Sequence, residues 1–309
     1  MLRRAVLTAV AIGIVPSIAT SQDRPTDQWL TRPVDQQTFL AYLEFFAYDR
    51  NLSFETQIIA SDEPEGLFEE RLRFESTPGV IVTARLYRPR RSTTDRQGGV
   101  VFLHGGGPQG KDATISIQLS RLMARAGWTV LSIDYLHFGE RNTELLETYS
   151  ETEKHERLYN QPAAYLEFVT QTVKDVSRSY DFLVGERGVD PDRVALVGFS
   201  RGAQLSMIAG GAEKRLAAVA LLHGGHFDFY EDGHMAAACP ANYIGRIGPR
   251  PILMINGEND GDYLPATAVR PLQHLLGEPK RIIWTAAGHG FLSEDDRTTL
   301  VDWLRTEVP

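Results

Sequence analysis

The chain has 309 residues, of which 42% are hydrophobic, and a formal net charge of -8 at pH 7. A chain of this length and composition can bury one large core, so we expect a single main domain. The net negative charge and the lack of a Lys/Arg run argue against nucleic acid or an anionic membrane as a binding partner. Cys239 is the only cysteine, which excludes an internal disulfide or a cluster of thiolates, and we expect it to be a buried bystander.

Residues 1–21 have the pattern of an export signal. Two arginines precede an apolar run from Ala5 to Ile14, and a region of small residues follows before the sequence becomes polar. The run is shorter than the roughly 20 residues that a membrane-spanning helix needs, which disfavours the alternative of an uncleaved anchor. We therefore expect cleavage near Ala19 or Ser21, a secreted or periplasmic protein, and no membrane contact after cleavage.

Residues 22–66 are interpreted as an N-terminal helical extension of a domain that covers residues 22–309. Thr38 to Tyr48 carries apolar side chains at near-helical spacing, which predicts an amphipathic helix that lies against the main domain. Leu67 to Phe74 and Val80 to Tyr87 alternate between polar and apolar residues around the turn at Ser76 to Gly79. This pattern predicts an antiparallel hairpin at one edge of a sheet.

From Val100 onward, apolar runs alternate with amphipathic segments, which indicates βαβ units and a mostly parallel sheet flanked by helices. The expected strands are Val100–Leu103, Val194–Val197, Ala217–Leu222, Ile252–Ile255, Arg281–Trp284 and Thr129–Ile133. The expected helices are Ala113–Ala126, Ala163–Val184, Pro265–Leu276 and Asp295–Thr306. The polar segment of residues 137–162 fits neither pattern, and we interpret it as an insertion across the rim of the sheet and a candidate lid.

Ser200 lies at a sharp reversal between an apolar strand and a helix. Gly198 and Gly202 flank it in the pattern G-x-S-x-G, which a tight strand-to-helix turn requires because a Cβ at either position would collide with the backbone. The turn also places Ser200 at a helix N-terminus, which favours developing negative charge. We predict that Ser200 is a nucleophile, and the alternative is a chance match to the pattern.

A second glycine-rich turn follows the strand at Val100 to Leu103. It contains Gly105 and Gly106, and such a loop can direct backbone N–H groups at a carbonyl oxygen. With the N–H of Arg201 it would complete an oxyanion hole. The alternative is that these glycines only make a tight turn.

An acid and a base should follow the nucleophile in the chain. Asp260 lies in the loop after the strand at Ile252 to Ile255, and His289 lies between two glycines after the last strand. A carboxylate can fix the tautomer of an imidazole that accepts the serine proton, so we predict Asp260 as the acid and His289 as the base. Glu258 and Asp262 are alternatives in the same loop, where each can also be a solvated charge.

Other histidines leave a metal site open as an alternative. His223, His226 and His234 occur close together, with Asp228 and Asp232 between them. Paired metal ligands usually share one helix, whereas this stretch is rich in glycine and aromatic residues, so we expect loop histidines at a pocket rim and predict no metal and no cofactor. The remaining histidines considered, which have no partner signal, are His137, His155 and His274.

The motifs GFSRG, HGGG, NGEND and AGHGF together resemble the serine α/β-hydrolases, in the same order from about Leu67 to Leu304. The segments VDPDRVALVGFSRGA, FGERN and RPILMINGEND resemble the branch that includes dienelactone hydrolases and acetyl xylan esterases. Two positions depart from related patterns. Dienelactone hydrolases use a cysteine nucleophile where this chain has Ser200, and prolyl-oligopeptidase relatives usually have a second glycine where it has Ala203.

This resemblance implies the α/β-hydrolase fold and a carboxylic ester hydrolase that works through an acyl-enzyme intermediate. Small-molecule esters, with acetyl esters of carbohydrates as one class, are the implied substrates. The alternatives are a prolyl-oligopeptidase-like serine peptidase and a noncatalytic binding protein on the same fold.

Overall fold

A computed structural model describes residues 27–90, 96–227, 231 and 234–308. The predicted export signal at residues 1–21 lies outside the described residues, as do Asp228 and Asp232. Among the described helices, none is both long enough and apolar enough to cross a membrane.

Within the described residues, nine strands form one sheet in the order β1-β2-β3-β5-β4-β6-β7-β8-β9. Strands β4 to β9 pair in parallel with one another, whereas β1, β2 and β3 are antiparallel to their neighbours. The strands are β1 (Gln57–Asp62), β2 (Leu67–Thr77), β3 (Val80–Pro89), β4 (Gly99–Leu103), β5 (Thr129–Ile133), β6 (Val194–Phe199), β7 (Ala218–Leu222), β8 (Ile252–Gly257) and β9 (Lys280–Thr285). The expectation of a mostly parallel sheet is confirmed, and the predicted antiparallel hairpin is present as β2 and β3, with β1 outside it at the edge of the sheet.

Helices cover both faces of the sheet. They are α1 (Gln36–Leu43), α2 (Thr114–Arg125), α3 (Glu151–Lys154), α4 (Pro162–Arg187), α5 (Arg201–Ala212), α6 (Ala241–Ile244), α7 (Arg270–Leu275) and α8 (Glu294–Glu307). The α8 helix begins with a reciprocal cap between Ser293 and Asp296, and α4 ends at Gly188, whose φ of 66° suits glycine. These local signals explain why the start of α8 and the end of α4 fall close to their predicted positions.

Alternation along the central strands divides the core into two layers. On β4, Val101 and Leu103 join the cluster under α4 and α5, while Val100 and Phe102 join the cluster under α2 and α8. Successive side chains of a strand point to opposite faces, so a strand with helices on both sides is apolar throughout. This is why the central strands appear in the sequence as continuous apolar runs.

The N-terminal extension differs from its prediction in one respect. Residues 22–66 were expected to be helical, but Gln57–Asp62 form the edge strand β1 against β2. All six residues of β1 are exposed, so no buried face imposes alternation on its sequence. The predicted helix at Thr38 to Tyr48 is present as α1 followed by a 3₁₀ turn at Glu44–Phe46.

Candidate active site

Ser200 occupies the reversal between β6 and α5. Its φ of 54° and ψ of -119° are strained for a residue with a side chain, and its N–H donates to Leu222 O on β7 at 2.8 Å. A Cβ on Gly198 would lie 2.3 Å from Gly202 O, and one on Gly202 would lie 2.2 Å from Leu103 O. Neither position has room for a side chain, so the two glycines allow the backbone to hold Ser200 at the carboxyl end of the sheet.

His289 joins Ser200 to Asp260 by two hydrogen bonds. Its Nε2 lies 2.8 Å from Ser200 Oγ, and its Nδ1 lies 2.9 Å from Asp260 Oδ2. Because Asp260 is an acceptor, Nδ1 carries the proton and Nε2 is free to accept the proton of the serine. The structure therefore brings together the three side chains predicted from the sequence, from the loops after β6, β8 and β9.

The pKa values of this pair follow from their contact. Burial opposes the protonation of His289, but the hydrogen bond and the charge of Asp260 outweigh it and raise the pKa of His289 above its ordinary value. Burial alone would raise the pKa of Asp260, whereas the imidazoles of His223 and His289 hold that pKa well below its usual range. The carboxylate is thus ionised and able to stabilise an imidazolium.

The two alternative acids lie in different surroundings. The Glu258 side chain is 45% exposed and forms an ion pair with Arg270 at 2.8 Å. Asp262 Oδ2 lies 3.4 Å from His289 Nε2, on the serine side of the ring, and its side chain is 64% exposed. By contrast, the buried Asp260 accepts backbone hydrogen bonds at 2.9 Å from Asp262 and Tyr263, which fix its orientation.

The glycine loop after β4 lies against Ser200. Cβ atoms built on Gly105 and Gly106 would lie 3.5 Å from Ser200 Cβ and 3.6 Å from Arg201 Cβ, respectively. The Tyr135 hydroxyl donates to Gly105 O at 2.8 Å, and His104 Nδ1 lies 2.6 Å from the same oxygen. In a planar trans peptide the N–H opposes the C=O, so these contacts on Gly105 O also fix the direction of the Gly106 N–H.

The Arg201 side chain is buried beside Ser200. Its guanidinium lies 3.8 Å from the centre of the Tyr159 ring, and it forms an ion pair with Glu231. It also donates to Gln204. Arg201 is the first residue of α5, so its backbone N–H belongs to the first turn, whose N–H groups do not bond within the helix, and its side chain pairs with Glu231.

A cavity of about 340 Å³ opens over Ser200 and His289. The insertion, residues 137–162, forms one wall, and Lys154 Nζ donates to Gly106 O at 3.1 Å and to Glu151 Oε1 at 2.6 Å. The lining residues are Gly106, Gly107, Pro108, Tyr149, Glu151, Lys154, Tyr159, Ser200, Arg201, Gly261, Asp262, Tyr263 and His289. The pocket is small, and charged and phenolic side chains form much of its wall.

Several of these neighbours had no signal in the sequence. Lys154 and Tyr159 line the pocket and Glu231 pairs with Arg201, all from segments without periodicity, so only their tertiary contacts reveal them. His223 was considered as a metal ligand, but it is fully buried with Nδ1 3.7 Å from Asp260 Oδ2.

The other two histidines of that alternative lie in a separate cluster. His226 and His234 approach Asp27 and Cys239, and Cys239 is buried as expected. The remaining histidines lie elsewhere: His137 contacts Thr143, His155 contacts the backbone of Glu151, and His274 is exposed on α7.

Several solved structures have the same fold. An acetyl xylan esterase from a Paenibacillus species superposes with a TM-score of 0.68 at 17% identity, covering 92% of this chain and 100% of that one. Acetyl xylan esterase 1 from a Thermoanaerobacterium species superposes with a TM-score of 0.66 at 16% identity, covering 92% of this chain and 99% of that one. A protein assigned as a dienelactone hydrolase from Klebsiella pneumoniae superposes with a TM-score of 0.57 at 18% identity, covering 74% of this chain and 94% of that one.

No curated protein sequence matches the chain. The sequence model of the alpha/beta hydrolase family matches residues 100–308, which include the turn at Ser200, the glycine loop and the loops of Asp260 and His289. The chain therefore belongs to the alpha/beta hydrolase family.

Proposed function

We propose that the chain is a serine esterase. The observation that carries this proposal is the chain of hydrogen bonds from Ser200 Oγ to His289 and from His289 to Asp260, at 2.8 and 2.9 Å. Ser200 attacks the ester carbonyl while His289 Nε2 accepts the serine proton. His289 then donates this proton to the leaving alcohol, and a water molecule activated by His289 releases the acyl group.

The backbone supplies the oxyanion donors in this proposal. The N–H of Arg201 stands at the start of α5, and the Gly106 N–H is held by the contacts on the carbonyl of the same peptide. Donors fixed before the reaction stabilise the tetrahedral intermediate without reorganisation. Of the two glycines expected in this role, the geometry favours Gly106 over Gly105.

The cavity favours a small, polar ester. Its volume of about 340 Å³ is at the lower end for ligand pockets, and Glu151, Lys154 and Tyr149 offer hydrogen-bonding groups to a hydroxyl-rich leaving group. Acetyl esters of carbohydrates fit this chemistry, and two of the similar structures are described as acetyl xylan esterases. We also propose that the protein acts after export, in accordance with the signal pattern at residues 1–21.

Replacing the nucleophile tests the reaction. We expect Ser200→Ala to keep the fold, as measured by circular dichroism, and to lose turnover of p-nitrophenyl acetate by roughly three orders of magnitude or more. Ser61→Ala, on the exposed edge strand β1, serves as the matched serine control. Equal turnover by Ser200→Ala and the parent would contradict the proposal.

A panel of substrates separates the alternatives. A serine esterase for small acyl groups should hydrolyse p-nitrophenyl acetate and acetylated xylose oligomers faster than p-nitrophenyl octanoate. A peptidase would instead cleave a peptide anilide, and a noncatalytic binding protein would cleave none of them. Preferential cleavage of the octanoate would overturn the assignment of a small polar ester.

A further inference from the structure

A second cluster of reactive side chains lies apart from Ser200, His289 and Asp260. It consists of Asp27, His226, His234 and Cys239, which we call the four-ligand cluster. Each residue offers one ligand atom, and the four atoms all lie within 4.8 Å of one another. Asp27 precedes the first helical turn, whereas the other three residues follow β7, so the fold brings together positions that are far apart in the chain.

Four of the six separations within the cluster lie close to the edges of a tetrahedron of zinc ligands, and the other two are within 4.8 Å. Asp27 Oδ2 lies 3.4 Å from His226 Nε2, 3.1 Å from His234 Nε2 and 3.8 Å from Cys239 Sγ. His226 Nε2 and Cys239 Sγ are 3.2 Å apart. Tetrahedral zinc with ordinary bond lengths separates nitrogen and oxygen ligands by roughly 3.3 Å and a sulfur from either by roughly 3.6 Å.

Hydrogen bonds alone do not explain the cluster. The buried His234 Nε2 has no partner with hydrogen-bond geometry despite its 3.1 Å approach to the carboxylate, and its side chain is only 10% exposed. Three potential donors also converge on the single oxygen Asp27 Oδ2. A cation at their centre would use the lone pairs of all four atoms at once.

The surroundings support a ligand role. Asp27 Oδ1 accepts a hydrogen bond from the Trp29 N–H at 2.9 Å, which leaves Oδ2 directed into the cluster. Cys239 and His226 are buried, so two of the four ligand atoms are shielded from water. One carboxylate and one thiolate neutralise a divalent ion, and the two imidazoles bind it as neutral ligands.

We propose that the four-ligand cluster binds one structural zinc ion. Thiolate and imidazole ligands favour zinc over magnesium or calcium, and four protein ligands leave no open position for catalysis. Binding displaces the Cys239 thiol proton to solvent. This proposal departs from the expectation of no metal and of Cys239 as a buried bystander, because Asp27, distant in sequence, supplies the ligand that short-range spacing could not reveal.

The zinc site has a structural consequence for the pocket. Glu231 lies between His226 and His234 in the sequence and pairs with Arg201, the residue after the nucleophile. A zinc ion would tie this segment to the N-terminal extension through Asp27. We therefore expect metal loss to lower stability directly and to affect turnover only through this segment.

Metal content measures the site without reference to activity. The full chain, purified without a polyhistidine tag, should contain one zinc per molecule by inductively coupled plasma mass spectrometry. Cys239→Ser and His234→Gln should each reduce this content at least tenfold, whereas His274→Gln, on the exposed face of α7, should leave it unchanged. Ser200→Ala should also hold one zinc, so this result is independent of the proposed esterase.

Removing the zinc ion and adding it back complete the test. A strong chelator should lower the Tm by about 5 °C or more, and added zinc chloride should restore it in the parent and in His274→Gln but not in His234→Gln. Cobalt in place of zinc should give a thiolate charge-transfer band that Cys239→Ser lacks. A parent that contains no zinc and whose Tm is unchanged by chelator and by added zinc would overturn the proposal, as would full zinc content in His234→Gln. If Cys239→Ser fails to fold, His234→Gln and the stripped parent still decide between these outcomes.

Discussion

At the scale of single residues, the three carboxylates of the loop after β8 differ sharply in environment. Asp260 is buried and bonded to Nδ1, Asp262 is largely exposed and Glu258 pairs with Arg270. Asp260→Asn removes the acceptor that fixes the tautomer, so we expect kcat to fall by roughly 10⁴-fold. Asp262→Asn and Glu258→Gln should each change kcat less than about tenfold, because exposed charges interact weakly. Steady-state kinetics with p-nitrophenyl acetate gives all three values, and the largest loss at Asp262 would show that the acid is misassigned.

The pH dependence of turnover follows from the same contact. Only neutral His289 can accept the serine proton, and Asp260 holds the pKa of His289 above its ordinary value of 6.5. Activity should therefore be lost as the pH falls through a midpoint on the alkaline side of 6.5 and should level off above it. Asp260→Asn should move the midpoint of its residual activity to lower pH. A profile of kcat/KM that is flat between pH 6 and 9 would contradict this role of His289.

At the scale of elements, the turn at Ser200 depends on the close approach of α5 to the end of β4. A Cβ on Gly202 would lie 2.2 Å from Leu103 O and 2.4 Å from His104 O, which are backbone atoms that cannot move aside alone. We expect Gly202→Ala to lower the free energy of unfolding by roughly 3 kcal/mol or more. Gly185→Ala on α4 meets no atom within 4 Å and should raise it by about 0.5–1 kcal/mol. Urea denaturation measures both changes, and equal stability of the two variants would mean that the turn tolerates a side chain.

The elements also show what the sequence can predict. Buried parallel strands such as β6 and β8 have continuous apolar runs, and the residues at their carboxyl ends could be assigned before the fold was known. The exposed β1 carries no such pattern. The α3 helix has only four residues. The Glu153 carboxylate fixes the segment before this helix by accepting hydrogen bonds from the backbone N–H groups of residues 147–149, a local arrangement without periodicity. Prediction therefore succeeded where burial imposes a pattern and failed where individual polar contacts determine the structure.

At the scale of the whole molecule, the N-terminal extension shares the core of the catalytic fold. Phe39 on α1 is 3% exposed, and its ring lies 5.6 Å from that of Tyr243 and 4.1 Å from the Arg246 guanidinium. Arg246 also donates to Val34 O at 2.6 Å, so apolar and polar contacts join the same two segments. The extension should consequently unfold together with the sheet and not as a separate unit.

Two phenylalanines of the extension test this coupling. Phe39→Ala empties a buried site and should lower the free energy of unfolding by roughly 3–5 kcal/mol, whereas Phe45→Ala, at a side chain that is 45% exposed, should cost less than about 1 kcal/mol. Because the extension packs against the sheet, Phe39→Ala should unfold in a single transition at lower urea concentration. Tryptophan fluorescence and circular dichroism should both report that transition. A first transition confined to part of the signal, with the main transition unchanged, would instead mean that the extension folds independently of the sheet that carries Ser200.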